Sequence, residues 1–225
     1  MKMLDVSEGY RIWAPTYSEE TAISFLEDKL VRAMTPPLHG LRLLDAGCGT
    51  GRRLRRTSAA QAVGLEPSRE MVAAGRVRNH GRENFEIVAG DVRDMPLRSR
   101  GFDVVWCRLV LGHLPAIGQA YRELARVGEY GAKLIVTDFH PDAVAAGHCR
   151  SFRVGGEIVQ LEHYVHSTQD HIDAARKAGL SLEEVRDAAI GNDVRPFYQS
   201  AHKLEVYPDH LGLPVVLALS FRRVH

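Results

Sequence analysis

The chain has 225 residues, 45% hydrophobic and 25% charged, with a formal net charge of +1. That length suits one domain with at most a small subdomain, able to bury roughly 70% of the surface its unfolded chain exposes. The balanced charge argues against a bulk electrostatic grip on nucleic acid or membrane, and no stretch approaches the roughly 20 apolar residues of a membrane span.

Residues Met1–Tyr10 are polar and lack the apolar core of a secretion signal. Cys48, Cys107 and Cys149 have no metal-type spacing and read as free thiols of a reducing cytoplasm. Arginine far outnumbers lysine, which points to a GC-rich bacterial genome. Tyr10–Tyr17 (Y-R-I-W-A-P-T-Y) crowds aromatics around Pro15 and reads as an irregular lid. Ser18 or Thr16 can cap a helix through Glu19–Met34, with Ile23, Leu26, Leu30 and Met34 on one face. Pro36, Pro37 and Gly40 end it.

Leu41–Gly51 (L-R-L-L-D-A-G-C-G-T-G) starts as a buried strand and ends as a glycine-rich loop. Glycine admits positive φ and lets a ligand approach where a Cβ would block it. Arg52–Ser58 can open a helix whose first N–H groups point back at that loop. A Walker loop would need Gly-Lys-Ser/Thr, but Arg52 and Arg53 follow Gly51. A dinucleotide loop reads G-x-G-x-x-G, and here Arg52 stands where the third glycine belongs. Asp45 before the loop would repel a pyrophosphate and suits a cationic ligand end.

This loop, Asp45–Gly51, resembles the first motif of class I S-adenosylmethionine-dependent methyltransferases of the small-molecule type, an acidic residue followed by G-x-G-x-G. The resemblance implies S-adenosylmethionine as cofactor, with S-adenosylhomocysteine as product. It places Asp45, Gly47, Cys48, Gly49 and Gly51 against that cofactor, with Tyr10 and Tyr17 covering it.

Gln61–Glu66 reads as the second strand, and Pro67-Ser68 start a helix through Arg78. Glu66 stands at the strand end, about 20 residues after the first loop glycine, where an acid accepts ribose hydroxyls in Rossmann-like sites. The V-G-L-E-P-S stretch matches the methyltransferase pattern, which adds Pro67 to the cofactor set. The third strand is Phe85–Ala89; by the resemblance, Asp91 reads the adenine amine and the Val92 N–H a ring nitrogen. The fourth strand is Phe102–Cys107, apolar and β-branched and so central. Arg108 after it, by its side chain or its backbone, falls by the resemblance beside the methionine half of the cofactor. His113, with Tyr10 and His140, is a candidate for taking a proton from the acceptor. A helix from Pro115 through Val127 and a fifth strand, Lys133–Asp138, follow. Asp45, Glu66, Asp91, Arg108 and Asp138 thus all map to strand ends, where open α/β sheets bind ligands.

Phe152–Val154 and Glu157–Val165 read as a hairpin with a Gly155-Gly156 turn, inside an insertion at 142–167. It is expected to roof the acceptor pocket, with Tyr164 shaping it. His163 and His166 fall on opposite strand faces, so no metal site is expected. Ser167 caps a helix near Gln169–Ala178, and Leu180–Ile190 and Pro214–Phe221 are the last two strands. Asn192–His210 reads as a long polar connection.

The expectation is therefore α/β: a Rossmann-like doubly wound seven-stranded sheet, 1–40 as an N-terminal cap and 41–225 as the methyltransferase domain. The resemblance implies the strand order 3-2-1-4-5-7-6 with the last strand antiparallel. The expected activity is methyl transfer to a small molecule, in the cytoplasm, without nucleic acid or membrane; a homodimer stays open. Two alternatives stand beside it: an NAD-type oxidoreductase on a related sheet, and a binder of S-adenosylmethionine that transfers nothing.

Overall fold

The computed structural model describes residues 2–17, 20–78 and 85–224. The strands are β1 (Lys2–Leu4), β2 (Arg42–Ala46), β3 (Gln61–Glu66), β4 (Phe85–Ala89), β5 (Phe102–Arg108), β6 (Gly128–Phe139), β7 (Ser151–Val154), β8 (Glu157–Leu161), β9 (Leu180–Ala189) and β10 (Pro214–Arg223). The α-helices are α1 (Val6–Trp13), α2 (Ala22–Met34), α3 (Arg69–Arg78), α4 (Gly118–Val127), α5 (Pro141–Ala145), α6 (Thr168–Lys177), α7 (Arg195–Ser200) and α8 (Tyr207–His210).

Seven strands form one sheet in the order β4-β3-β2-β5-β6-β10-β9. Counted within the sheet, that is the expected 3-2-1-4-5-7-6. Strands β4, β3, β2, β5 and β6 pair in parallel, and β10 runs antiparallel to both β6 and β9. Alternate residues of the central strands feed two cores, as a period of two requires. Leu44, Val105 and Leu134 pack with Tyr121 and Leu124 of α4 and Ala175 of α6. Leu43, Val104 and Ile135 pack with Val31 and Met34 of α2. The chain leaves β2 toward β3 and β4 and later returns to β5 on β2's other side. The crevice for a ligand opens there, at the carboxyl ends of β2 and β5.

Three expectations change. The Arg52–Ser58 helix is absent; a single 3-10 turn, Leu54–Arg56, takes its place. A segment that short cannot offset the cost of helix nucleation, and its arginines at i, i+3 and i+4 (Arg52, Arg55, Arg56) repel on a helical face. The N-terminal segment is ordered as β1 and α1, with the Asp5 side chain accepting from the Glu8 N–H as the helix cap. Helix α2 begins at Ala22, where Thr21 and Ser24 cap each other reciprocally; Ser18 and Glu19 lie outside the described residues.

The hairpin forms as expected, with positive φ at Gly155 (+57°) and Gly156 (+89°). Its second strand stops at Leu161 and takes β1 as a parallel neighbour. The hairpin braces α1. The Trp13 ring stacks on Phe152 at 4.7 Å, and a Cβ on Gly9 would sit 1.9 Å from Leu161 Cδ2, so only glycine lets α1 come this close. The 192–210 connection carries α7 and α8, and its Phe197, Tyr198 and Tyr207 pack into a cluster with Leu26 of α2.

Candidate cofactor and acceptor site

A cavity of about 270 Å³ lies at the carboxyl ends of the central strands. Of the residues singled out from sequence, Tyr10, Tyr17, Gly47, Gly49, Glu66, Pro67, Asp91, Val92, Arg108 and His113 line it. Val6, Ser7, Ser68, Arg93, Leu109, Val110 and Leu114 complete the wall, with no signal in the sequence beyond their neighbours. Asp45, Cys48, Gly51, His140, Asp138 and Tyr164 are not among its lining residues.

The glycine loop is closely packed. Gly47 has φ +84°, and a Cβ there would lie 2.2 Å from Val110 Cγ2. Gly49 has φ +59°, and a Cβ would lie 3.2 Å from the Tyr17 ring. The Gly47 N–H donates to Leu65 O at 2.7 Å, which ties the loop to β3. The Cys48 sulfur lies against β3, 2.5 Å from where a Cβ on Gly64 would stand. Gly51, φ +70°, closes the loop by donating to Cys48 O at 3.0 Å.

Glu66 is held by that backbone. Its Oε2 accepts from the Gly49 N–H at 2.9 Å and its Oε1 from the Ser68 N–H at 3.0 Å. Burial raises its carboxyl to about 7, against the pull of those two bonds. Asp45 sits below the loop, buried, with Oδ1 unpartnered. Burial raises it to about 6, opposed by Arg108 and Arg53. Asp91 is bonded to Arg93, from the backbone N–H at 2.8 Å and from the guanidinium at 2.6 and 2.9 Å. Those bonds hold its carboxyl below the usual range.

Arg108 lines the cavity and points its guanidinium at helix α2. It forms paired bonds to Glu27 at 2.7 and 2.8 Å and one to Asp28 at 2.9 Å. Arg53 joins from the loop side, 3.0 Å from Glu27. Glu27 is fully buried, and its carboxyl stays below the usual range: these cations outweigh the upward push of burial. One signal of this network was visible. Ile23, Glu27, Leu30 and Met34 form one helical stripe, so an acid sits inside the apolar face.

The far wall is a triangle missed in part by sequence reasoning. The Arg150 Nη1 donates to the Tyr10 hydroxyl at 2.8 Å and to His113 Nε2 at 2.9 Å, and the Tyr10 hydroxyl lies 2.9 Å from the same Nε2. Arginine only donates, so Nε2 is the acceptor and the His113 proton is on Nδ1. Burial and the Arg150 cation push His113 well below its usual pKa. Burial raises Tyr10, and it stays protonated at neutral pH. His140 caps α5 through Nδ1, accepting from the Asp142 N–H at 3.2 Å. Asp138 accepts from the Phe139 N–H at 2.8 Å, with His171 Nε2 at 3.6 Å. The hairpin supports α1, and the segment after it meets the His113 wall: the Tyr164 N–H donates to Gly112 O at 2.7 Å and the His163 ring lies 6.4 Å from His113, while the Tyr164 hydroxyl bonds Glu162.

A profile of the methyltransferase domain matches residues 44–136. The S-adenosylmethionine dependent methyltransferase from Mesorhizobium loti superposes with a TM-score of 0.69 at 21% identity, over 88% of this chain and 98% of that one, and so shares the fold. The 27-O-demethylrifamycin SV methyltransferase of Amycolatopsis mediterranei (strain S699) is 31% identical over 195 residues, 81% of this chain and 68% of that protein. The chain belongs to the S-adenosylmethionine-dependent methyltransferase family. Methyltransferase GfsG of Streptomyces halstedii is also 31% identical, over 70% of this chain but only 58% of GfsG, so the chain spans less than two thirds of that relative. The family's cofactor is S-adenosylmethionine, and the residues here fit it. The close-packed glycine loop leaves backbone room, Glu66 offers a buried acceptor, and Asp45 keeps an unpartnered buried oxygen for a cationic group.

Proposed function

We propose that the chain transfers a methyl group from S-adenosylmethionine to an oxygen of a small molecule, at the wall made by Tyr10 and His113. The observation that carries this is one cavity shared by the glycine loop, Glu66, Asp91 and that wall. Bound there, the cofactor supplies a methyl group made electrophilic by a cationic sulfur. Glu66 accepts the ribose hydroxyls, Asp91 and the Val92 N–H take the adenine edge, and Asp45 faces the ammonium from below the loop. Tyr17 closes over Gly49 and excludes water. Residues 1–40 and the 142–167 insertion act together as the cap over the acceptor.

Electrostatics favour oxygen. Arg150 is a buried cation touching both Tyr10 and His113. Methylating a neutral nitrogen or sulfur creates a second cation near it, whereas methylating an ionised oxygen removes an anion. The relative that accepts 27-O-demethylrifamycin SV supports the same choice. His113, pushed well down, is a weak base. Acceptors whose hydroxyl is itself acidic, such as phenols and carboxylic acids, are therefore preferred over simple alcohols.

The test is release of S-adenosylhomocysteine against a panel of small acceptors. Phenols or carboxylates should turn over faster than aliphatic alcohols and amines. Tyr10→Phe should lower kcat while leaving S-adenosylhomocysteine affinity unchanged. Cofactor binding with no turnover in any class would favour a non-catalytic binder.

A further inference from the structure

A second cavity, of about 550 Å³, lies between α2 and the 50–58 segment. It has a structural cause. A parallel β–β crossover is ordinarily carried by a helix packed on the sheet. Here the β2–β3 crossover has only the Leu54–Arg56 turn, and Trp106 of β5 is left lining an open space.

The cavity is lined by six arginines, Arg32, Arg52, Arg53, Arg55, Arg56 and Arg108, against two acids, Glu20 and Asp28. Asp28 is already shared by Arg32, Arg53 and Arg108, and the buried Glu27 behind it by Arg53 and Arg108. Among the described residues no salt bridge engages Arg52 or Arg56. Burial and neighbouring Arg53 lower the Arg52 guanidinium, against the pull of Tyr17, Glu20 and Glu27. The remaining wall carries the hydroxyl residues Thr35, Thr50, Thr57 and Ser58 and one apolar side made by Val31, Pro36, Pro37, Leu38 and the Trp106 ring.

We propose that this cavity binds a small phosphorylated molecule, with phosphate or diphosphate oxygens on the arginines and an apolar or aromatic body against Trp106 and the prolines. Several guanidinium forks converge, the two carboxylates nearest them are already shared among Arg32, Arg53 and Arg108, and a phosphate or diphosphate offers oxygens enough to engage the others. The volume of about 550 Å³ falls in the small-ligand range of roughly 300–1,000 Å³, and the net charge of +1 gives no broad field for a nucleic acid. The site is distinct from the cofactor cavity. Arg108 is the residue common to both walls, and its guanidinium is held by Glu27 and Asp28.

The test is calorimetric titration of the whole chain with sodium pyrophosphate, inorganic phosphate and phenyl phosphate. Pyrophosphate is expected to bind below millimolar, to weaken severalfold between about 50 and 200 mM salt, and to be indifferent to saturating S-adenosylhomocysteine. The double variant Arg52→Ala/Arg56→Ala should lose about tenfold or more in pyrophosphate affinity, with S-adenosylhomocysteine affinity and melting temperature unchanged. Thr57→Glu, which adds a carboxylate to the lining, should weaken it without removing an arginine. Phenyl phosphate should bind more tightly than inorganic phosphate. Absence of pyrophosphate binding, equal affinity in both variants, or displacement by S-adenosylhomocysteine would overturn the site; equal affinity for the two monophosphates would overturn its apolar half.

Discussion

Glu66→Gln removes one charge and leaves the shape of the site nearly intact, so it separates what that charge costs from what it does. The Glu66 carboxyl is raised from 4.5 to about 7 by burial. A carboxyl raised in the folded state contributes stability while protonated, and loses it as pH rises through the folded value. A shift of that size corresponds to about 3 kcal/mol between pH 4.5 and 8. At this chain length that is about 6–12 °C in melting temperature. The melting difference between Glu66→Gln and the parent should therefore move upward by that amount as pH rises.

Cofactor binding should move the other way. Glu66 gives one oxygen to Gly49 and one to Ser68. Glutamine has a single oxygen, so its amide group must face one backbone N–H, and the ribose loses its charged acceptor. One charge-assisted bond lost and one weakened amount to about 3 kcal/mol, or about a hundredfold in affinity. Melting scans from pH 5 to 8 and calorimetric titration with S-adenosylhomocysteine at pH 8 measure both. A melting difference flat with pH, or an affinity within about threefold of the parent, would refute the reasoning.

Asp45, raised to about 6, should make S-adenosylhomocysteine affinity climb from pH 5 to 8 as it ionises, and Asp45→Asn should flatten that lower step; a profile unchanged by the substitution would contradict its role. Gly47→Ala places a Cβ 2.2 Å from Val110 at φ +84°, so urea unfolding should show a loss of about 1–3 kcal/mol or more. Arg108→Ala leaves Glu27 fully buried with Arg53 as its remaining salt-bridge partner and should cost about 3–5 kcal/mol. Removing both charges, as Arg108→Met/Glu27→Leu, should recover most of that in the same urea experiment.

The half of the cavity lined by the glycine loop, Glu66 and Asp91 was legible because its residues are tied to strand ends. Gly47, Gly49, Glu66 and Asp91 each follow a strand whose apolar run marks where it stops, and parallel pairing brings those stops to one edge. The other half depends on contacts between distant segments. Arg150 reaches Tyr10 and His113 across 140 and 37 residues, a pairing that local periodicity cannot carry. Helix α1 was hidden in a short polar stretch whose Asp5 cap was the clue, and its stability comes from the hairpin's Phe152 and Leu161. The missing crossover helix shows the reverse: the glycine loop forms after β2, but the shortness of the following segment and the repulsion among Arg52, Arg55 and Arg56 leave a single turn in place of a helix. Arg108 was placed at the correct strand end, yet its charge belongs to Glu27, because a buried acid on α2 claims the nearest guanidinium.

A crystal structure of the chain with S-adenosylhomocysteine tests the central claim most directly. The expected result is one adenosyl group in the cavity at the ends of the central strands, both ribose hydroxyls on the Glu66 carboxylate, adenine at Asp91 and the sulfur facing Tyr10 and His113. An adenosyl group bound elsewhere, or one that leaves Glu66 untouched, would contradict it.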